Sequence, residues 1–565
     1  MTGSVNNTII VAPIHAAAEE VSLMASNFKN SRNRRSSVKP DREAVGQGLA
    51  SSDTGNVEAP RKSRGGRITE SKGGFDPAEW MISSENIAQG VASLSFNTAV
   101  GNRLDYGSDQ VDSADFASVP GLMTLVYLPT PGISRDRTSP VNLAARSVYS
   151  YIRHANSGHS NYDSPDLMMY LLAMDSLYSY LNWAKRIYGY LSLYTQYNRY
   201  VPRALVESNG VDFDSLISDP AKFRTSLNLL LQSAGALVVP NTMGFMKKHL
   251  WMTSNCYLDD MSVKAQMYQF VPEGYWIYDE KNGAGQMRFM ATWNKSPRMT
   301  LEDIISVGRS ILDPLVGSED INIMSGDILK AYGDAGVIRL TLVPEDFIVL
   351  PAYNAAALNI IQNATLIDGV IDHTKYLITQ DATTGPNGGA ILYDPIVIPS
   401  TGGTLCSVFT NNNRFLTFHK DDISPRDIIT GTMGMVCTTG TGSSLKIRSC
   451  GSEVFRFAQI TKFAQFNKVW SLSHTVTQGY VSELSDSTAS YTSFLKYTAD
   501  MNYFNDHPMQ MAYKSVDIGG RKVAKVESIN LDFDNYAIVA PTTLDNIHES
   551  TLMSMFNVPI MGLDK

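Results

Sequence analysis

The sequence predicts an α+β fold. Helix-capping signals and apolar residues at helical spacing crowd the first half of the chain. Alternating β-branched and aromatic runs bounded by turn residues crowd the middle and end, and a basic stretch with almost no apolar pattern precedes both. At 565 residues the chain has material for several domains and a large buried core.

Taken in order, the first 72 residues hold 11 Lys and Arg against 7 Asp and Glu, leaving 36 against 48 for the remainder, so within a net charge of −8 a basic arm precedes an acidic body. The segments FKNSRNRRSSVKPDR (28–42) and PRKSRGGRITESKGG (60–74) combine Arg, Ser, Gly and Pro and predict a disordered arm. TIIVAPIHAAAEEVSLMASNF (8–28) is apolar and Ala-rich, a short helix or docking segment once it finds a surface to cover. Ordered structure is expected from Phe75 to Trp80 onward, with a helix start at Asp76-Pro77 and a strand in ASLSFNTAV (92–100).

The longest helix is predicted from Ser164-Pro165-Asp166, where a capping side chain precedes a proline tolerated in the first turn, to about Asn198. That is a rod of roughly 50 Å. Leu167, Leu171, Met174, Tyr178, Leu181, Tyr188 and Leu191 form one stripe and Met168, Leu172, Trp183, Ile187, Tyr190 and Tyr197 a second, so the helix is expected to be packed on more than one side. Further helices are predicted over 220–235, 301–313, 319–333, 352–363 and 541–556, and strands over 275–293, 337–343, 388–409 and 521–540.

Aromatics make up 10% of the chain and charged residues only 18%, and 27 tyrosines imply much tyrosine-rich contact surface. Eleven of them fall within 149–200, where core or subunit interface is the expected role. The cysteines Cys256, Cys406, Cys437 and Cys450 lie far apart with no C-x-x-C spacing, and no leader pattern opens the chain, which predicts reduced thiols in an intracellular protein. The longest strongly apolar run, Leu167 to Met174, stops at Asp175, far short of the roughly 18 residues a membrane span needs. The expectation is a soluble protein.

Catalytic, metal and cofactor motifs are not recognisable. TTGTGSSLKI (438–447) has the glycines of a phosphate loop without the Gly-Lys-Ser/Thr that would make it one, and is expected to be a turn. His154 and His159 stand five apart in the loop-like RHANSGHSNYD and are expected at the surface, not on a metal. G-x-S-x-G is absent. A triad assembled only by the fold leaves no trace in sequence, so a self-processing hydrolase stays as one alternative reading.

One constellation does carry physical meaning. Lys29, Arg32, Arg34, Arg35, Lys39 and Arg42, then Arg61, Lys62, Arg64 and Arg67, form two cationic clusters able to neutralise phosphates and release counterions, binding that is salt-sensitive and blind to sequence. A solvated linker or a targeting tail accounts for the same charge.

The run MMYLLAMDSLYSYLNWAKRIYGYLSLYTQYNRYVPRALVESNGVDFDSL (168–216) resembles the capsid proteins of picobirnaviruses, whose genome is segmented double-stranded RNA. ASLSFNTAVGN (92–102), PGLMTLVYLPTPGIS (120–134) and DIISVGRSILDPLVGSEDINIMSGDILKAYG (303–333) extend the resemblance over roughly 92–335. It implies a helix-rich shell domain and a smaller mixed or β-containing protruding domain: 1–72 as arm, 73–245 and 431–565 as shell, 246–430 as protrusion. It further implies homodimers that build an icosahedral shell, an arm directed at viral RNA, and residence in the virion after assembly in the host-cell cytoplasm. Some relatives shed an N-terminal segment by self-processing; no residue here matches a cleavage signature. The segment 8–28 could instead touch a membrane transiently during entry. An RNA-coating protein that forms no closed particle shares the basic arm and is the other alternative.

Overall fold

The computed structural model describes residues 121–556 except 157–161, 196–199, 263–264, 282–283, 368, 382–387, 399–412, 441–444, 467–468, 479–480 and 485–487. The expected helix start near Phe75 and strand 92–100 lie outside the described residues.

The architecture is α+β, arranged around one helix. After strand β1 (Leu122–Pro129) and helix α1 (Pro140–Ala155), helix α2 runs from Ser164 to Leu191. Asp163 and Asp166 form a reciprocal capping box and Pro165 sits in the first turn, which is why it starts where the sequence predicts. Every residue from Leu167 to Leu191 except Asn182 is buried. The helix ends seven residues short of the expected Asn198 because its last turn tightens: the Leu193 and Tyr194 amides donate to carbonyls three residues back, and Tyr194 is exposed. Its length is about 42 Å.

Around α2 pack α3 (Pro220–Ala234), α4 (Gly244–Ser254), α5 (Leu301–Val316) and the hairpin of β4 (Gly274–Lys281) and β5 (Ala284–Ala291). The tyrosines of α2 are core, one of the two roles expected for them. Their rings face apolar neighbours while their hydroxyls donate to backbone of adjoining elements: Tyr170 to the Val238 carbonyl (2.7 Å), Tyr178 to Leu237 (2.9 Å), Tyr188 to Glu345 (3.2 Å), and Tyr180 to Ile304.

Beneath lies a six-stranded mixed sheet in the order β11 (Val469–Gln478), β10 (Glu453–Phe466), β1, β3 (Met267–Pro272), β2 (Tyr257–Leu258), β6 (Ala352–Tyr353). β1 is antiparallel to β10 and parallel to β3, and all eight of its residues are buried, the pattern of a strand covered on both faces. A second sheet joins the β4–β5 hairpin to β7 (Ile378–Gln380) and β8 (Ile391–Leu392).

Helices α3, α5, α6 (Glu319–Tyr332) and α8 (Pro541–Met555) fall where predicted, α5 extending to Val316. Three expectations are corrected. Helix 352–363 begins only at Ala355 (α7, Ala355–Asn363), because the Asn354 side chain caps Ala356 and Ala357 while 352–353 pairs as β6. In 337–343 only Val337–Ile338 pair as a strand; the chain beyond is an irregular strap whose backbone is held from α2 and α3, by Lys185 on the Thr341 carbonyl (2.9 Å) and by Asn228 on both the amide and the carbonyl of Val343 (2.8 and 3.0 Å). In 388–398 strand is confined to Ile391–Leu392 and Ile396–Ile398, and 399–412 lie outside the described residues. Helices Pro140–Ala155, Gly244–Ser254, Pro425–Thr432 and Thr488–Met501 add to the predicted set.

Arg186, at the middle of this core, is 1% exposed. Its guanidinium donates to the carbonyls of Phe270 (2.9 Å), Asn255 (3.2 Å) and Met252 (3.3 Å) and to Asn209 Oδ1 (3.0 Å), with no carboxylate in ion-pair range among the described residues. Four acceptors from three separate segments thus converge on one side chain of α2. Arg186→Met removes the cation and takes its donor from the Phe270, Asn255 and Met252 carbonyls, each costing about 1–3 kcal/mol if left buried and unpaired, while Asn209 Oδ1 keeps the Trp183 indole at 2.8 Å. The expected net loss is about 3–5 kcal/mol, read as a clear fall in thermal unfolding midpoint; an unchanged midpoint contradicts the hub.

Candidate assembly surface

The ten arm cations singled out above, Lys29 through Arg67, lie outside the described residues, as does the segment 8–28. The described chain brings other groups together.

Its cysteines Cys256, Cys437 and Cys450 are buried and free. Burial pushes the Cys256 and Cys450 thiols up to about 12, which suits packing and not nucleophilic chemistry. His154 is not in a loop: it occupies the last turn of α1, where a basic side chain meets the negative helix end and Asn156 closes the turn by donating to the Ile152 carbonyl (2.9 Å). His159 lies outside the described residues. The glycine-bearing 438–447 is flanked by antiparallel strands Cys437–Thr439 and Leu445–Ser449, as a hairpin requires.

Two interior pairs anchor α4. His249 Nδ1 lies 2.7 Å from an Asp175 carboxylate oxygen of α2, and Lys248 pairs with Glu453 at the start of β10. Burial raises the Asp175 carboxyl; at His249 burial lowers the imidazole, but the charge and hydrogen bond of Asp175, with the charge of Glu453, outweigh this and raise it. The first ties helix to helix and the second ties helix to sheet.

At the surface, strand β9 (Arg414–Phe418) pairs antiparallel with β15 (Asn535–Val539). One face of this ribbon covers a small core of Leu416, Phe418, Met435, Cys437, Val539 and Leu544. The other face is apolar and open: Phe415, Phe533 and Tyr536 touch edge to face at 5.4–6.2 Å between ring centres, Ile538 stands opposite Phe415, and Tyr536 and Ile538 are 52% and 60% exposed. A second apolar exposure runs along the strap, at Leu342, Ile348 and Leu350. Contiguous open aromatic faces of this kind mark contact sites. The sequence pattern places strand at 521–540 but does not disclose this face; the signal available is the uncharged run Asn535 to Ala540 following FD.

His419, just past β9, closes the base of the ribbon. Its Nδ1 meets Asp534 at 2.9 Å and its Nε2 meets the Asn505 carbonyl at 3.1 Å and Asp506 at 3.8 Å. Among the described residues, His419, Asp532 and Asp534 are the one grouping with metal-ligand spacing, but all three are exposed and the imidazole is already engaged on both nitrogens.

Comparisons with known proteins give this geometry its context. A family model for the picobirnavirus capsid protein matches residues 80–429, well over half the chain. The capsid protein precursor of a human picobirnavirus is 29% identical over 548 residues, covering 90% of this chain and 96% of that protein. An X-ray crystallographic structure of the picobirnavirus capsid matches with a TM-score of 0.70 and 22% identity, over 85% of this chain and 98% of that one. The fold is therefore that of a viral coat protein. The chain belongs to the picobirnavirus capsid protein family.

A pH dependence follows from His419. Burial by itself would lower the imidazole, but the hydrogen bond to Asp534 and the charge of Asp506 outweigh it and raise it above its ordinary value. Burial raises the Asp506 carboxyl to about 6, against the opposing pull of His419. Both groups bind protons more tightly folded than unfolded. The histidine contribution is full below its unfolded value of about 6.5 and is lost as pH rises through the folded value, and Asp506 loses its protonated advantage from about 4 upward through 6. The Tm gap between the protein and His419→Gln is expected to be largest near pH ~5.5 and to close toward pH ~8.5; a gap that widens with pH contradicts this.

Proposed function

We propose that this protein is the subunit of a closed icosahedral shell enclosing double-stranded RNA, built from homodimers, with the basic arm contacting RNA without sequence preference. The carrying observation is the fold: nearly the whole length of a picobirnavirus capsid chain finds its counterpart here. The open apolar ribbon and strap supply contact surface suited to a second copy.

The division into arm 1–72, shell 73–245 and 431–565, and protrusion 246–430 is part of the same proposal. β1 and β10 join the two shell portions in one sheet, which also takes in β2, β3 and β6 from 246–430, while β4, β5, β7 and β8 form a second sheet wholly within 246–430. The proposed location is the virion, with assembly in the host-cell cytoplasm. The acidic body repels RNA while ten arm cations attract it, which directs nucleic acid to one side of the shell.

Nuclease-protected RNA in purified particles tests the arm. Deleting 1–72 is expected to lower packaged RNA severalfold while shells still form, because counterion release scales with the cations removed; equal RNA content contradicts the role. For the proposed membrane contact, a peptide spanning 8–28 is expected to release dye from liposomes, and intact liposomes remove it.

A further inference from the structure

We propose that the outer edge of β15 is a twofold docking strand, pairing antiparallel with β15 of a second copy of this chain and centred on Ala537. The inference rests on the shell-subunit reading and adds to it the strand and register of one subunit contact.

The register can be read from the ribbon itself. Asn363 at the end of α7 binds both backbone groups of Thr417, accepting from its amide at 2.9 Å and donating to its carbonyl at 3.0 Å. Those groups therefore point away from β15, so Thr417 and its opposite residue Tyr536 form a non-hydrogen-bonded pair. Alternation makes Phe415 and Ile538 another. In β15 it follows that the amides and carbonyls of Tyr536 and Ile538 all face the free side, where among the described residues no strand pairs with them.

The three neighbouring edges are treated differently. That of β9 is covered by Asn363. Strand β14 (Arg521–Asn530), which closes the sheet of β12 (Val481–Glu483) and β13 (Gln510–Ile518), carries Lys525 and Glu527, charges of the kind that deter edge pairing. Strand β15, Asn-Tyr-Ala-Ile-Val, has neither charge nor proline.

Its complement is itself. Antiparallel pairing about Ala537 sets Tyr536 opposite Ile538 of the other copy twice over, and these are the residues whose backbone groups face outward, so each pair exchanges two hydrogen bonds. The two apolar faces then merge on one side of a four-stranded sheet, which relieves a ribbon too narrow to be stable by itself. Centring one residue earlier would set Asp534 against Ile538, and one later would bring Pro541 into the ladder. Identical strands related this way satisfy the self-complementarity a closed twofold contact demands.

Ala537 would face its own copy in a non-hydrogen-bonded pair, with Cα atoms about 4.5 Å apart, inside the range a disulfide spans. Ala537 is exposed, so Ala537→Cys leaves the fold intact. Under mild oxidation the full chain carrying Ala537→Cys is expected to run as a disulfide-linked dimer, in which mass spectrometry finds the introduced thiols of two copies joined to each other. Val526→Cys, on the guarded edge, is expected to form no disulfide-linked dimer. Ile538→Lys should raise the concentration needed for dimerisation by at least on the order of tenfold. Absence of the dimer, or a bond from the introduced thiol to Cys406 of the same chain, which would place a segment of that chain on the edge, overturns the proposal. The disulfide forms in solution whether or not shells close, so a linked dimer without particles upholds this contact and refutes the shell reading instead.

Discussion

The enclosure of α2 on all sides governs the rest of the structure. A helix with solvent on one face can keep its polar side chains there, but α2 has no such face, so each polar group it carries needs a partner inside. Arg186 finds backbone carbonyls from the α4 region and β3, Asp175 finds His249, and the tyrosine hydroxyls find the turns around them. Helix, sheet and connecting strap are held in position by those demands as much as by apolar contact. A fully buried large apolar side chain contributes about 1.5–3 kcal/mol, whereas each unmet polar group forfeits a comparable amount, so neither kind of contact can be spared.

The same device recurs where backbone groups have no neighbouring strand to pair with. Asn228 grips both backbone groups of Val343 and Asn363 those of Thr417, one amide side chain standing in for a neighbouring strand each time. The strap is thereby held at the surface without a ladder, and the edge of β9 away from β15 is covered. Their outward side chains, Leu342, Ile348 and Leu350 on the strap and Phe415, Tyr536 and Ile538 on the ribbon, remain open, which suits a protein whose environment is more copies of itself.

Much of this was legible in the sequence. The Ser164-Pro165-Asp166 start and the two apolar stripes announced a helix packed on several sides, though the cap itself is Asp163, one residue earlier, and Thr300 to Asp303 announced α5. Illegible was anything set by distant partners. That 339–351 forgoes a ladder depends on Lys185 and Asn228, remote in sequence, and β1 reads as an apolar run whose pairing with β10 spans more than 300 residues. Tyrosine density could not distinguish core from interface, because rings with a satisfied hydroxyl serve either. The ribbon face also escaped notice, since exposure is a property of packing, and the family resemblance came from patterns of shape between 92 and 335, not from any site.

Whether this chain closes into a shell is tested most directly by electron microscopy of the purified full-length protein at physiological salt. Uniform spherical particles of many copies are the predicted result. Small oligomers alone, or filaments that require RNA, would contradict it.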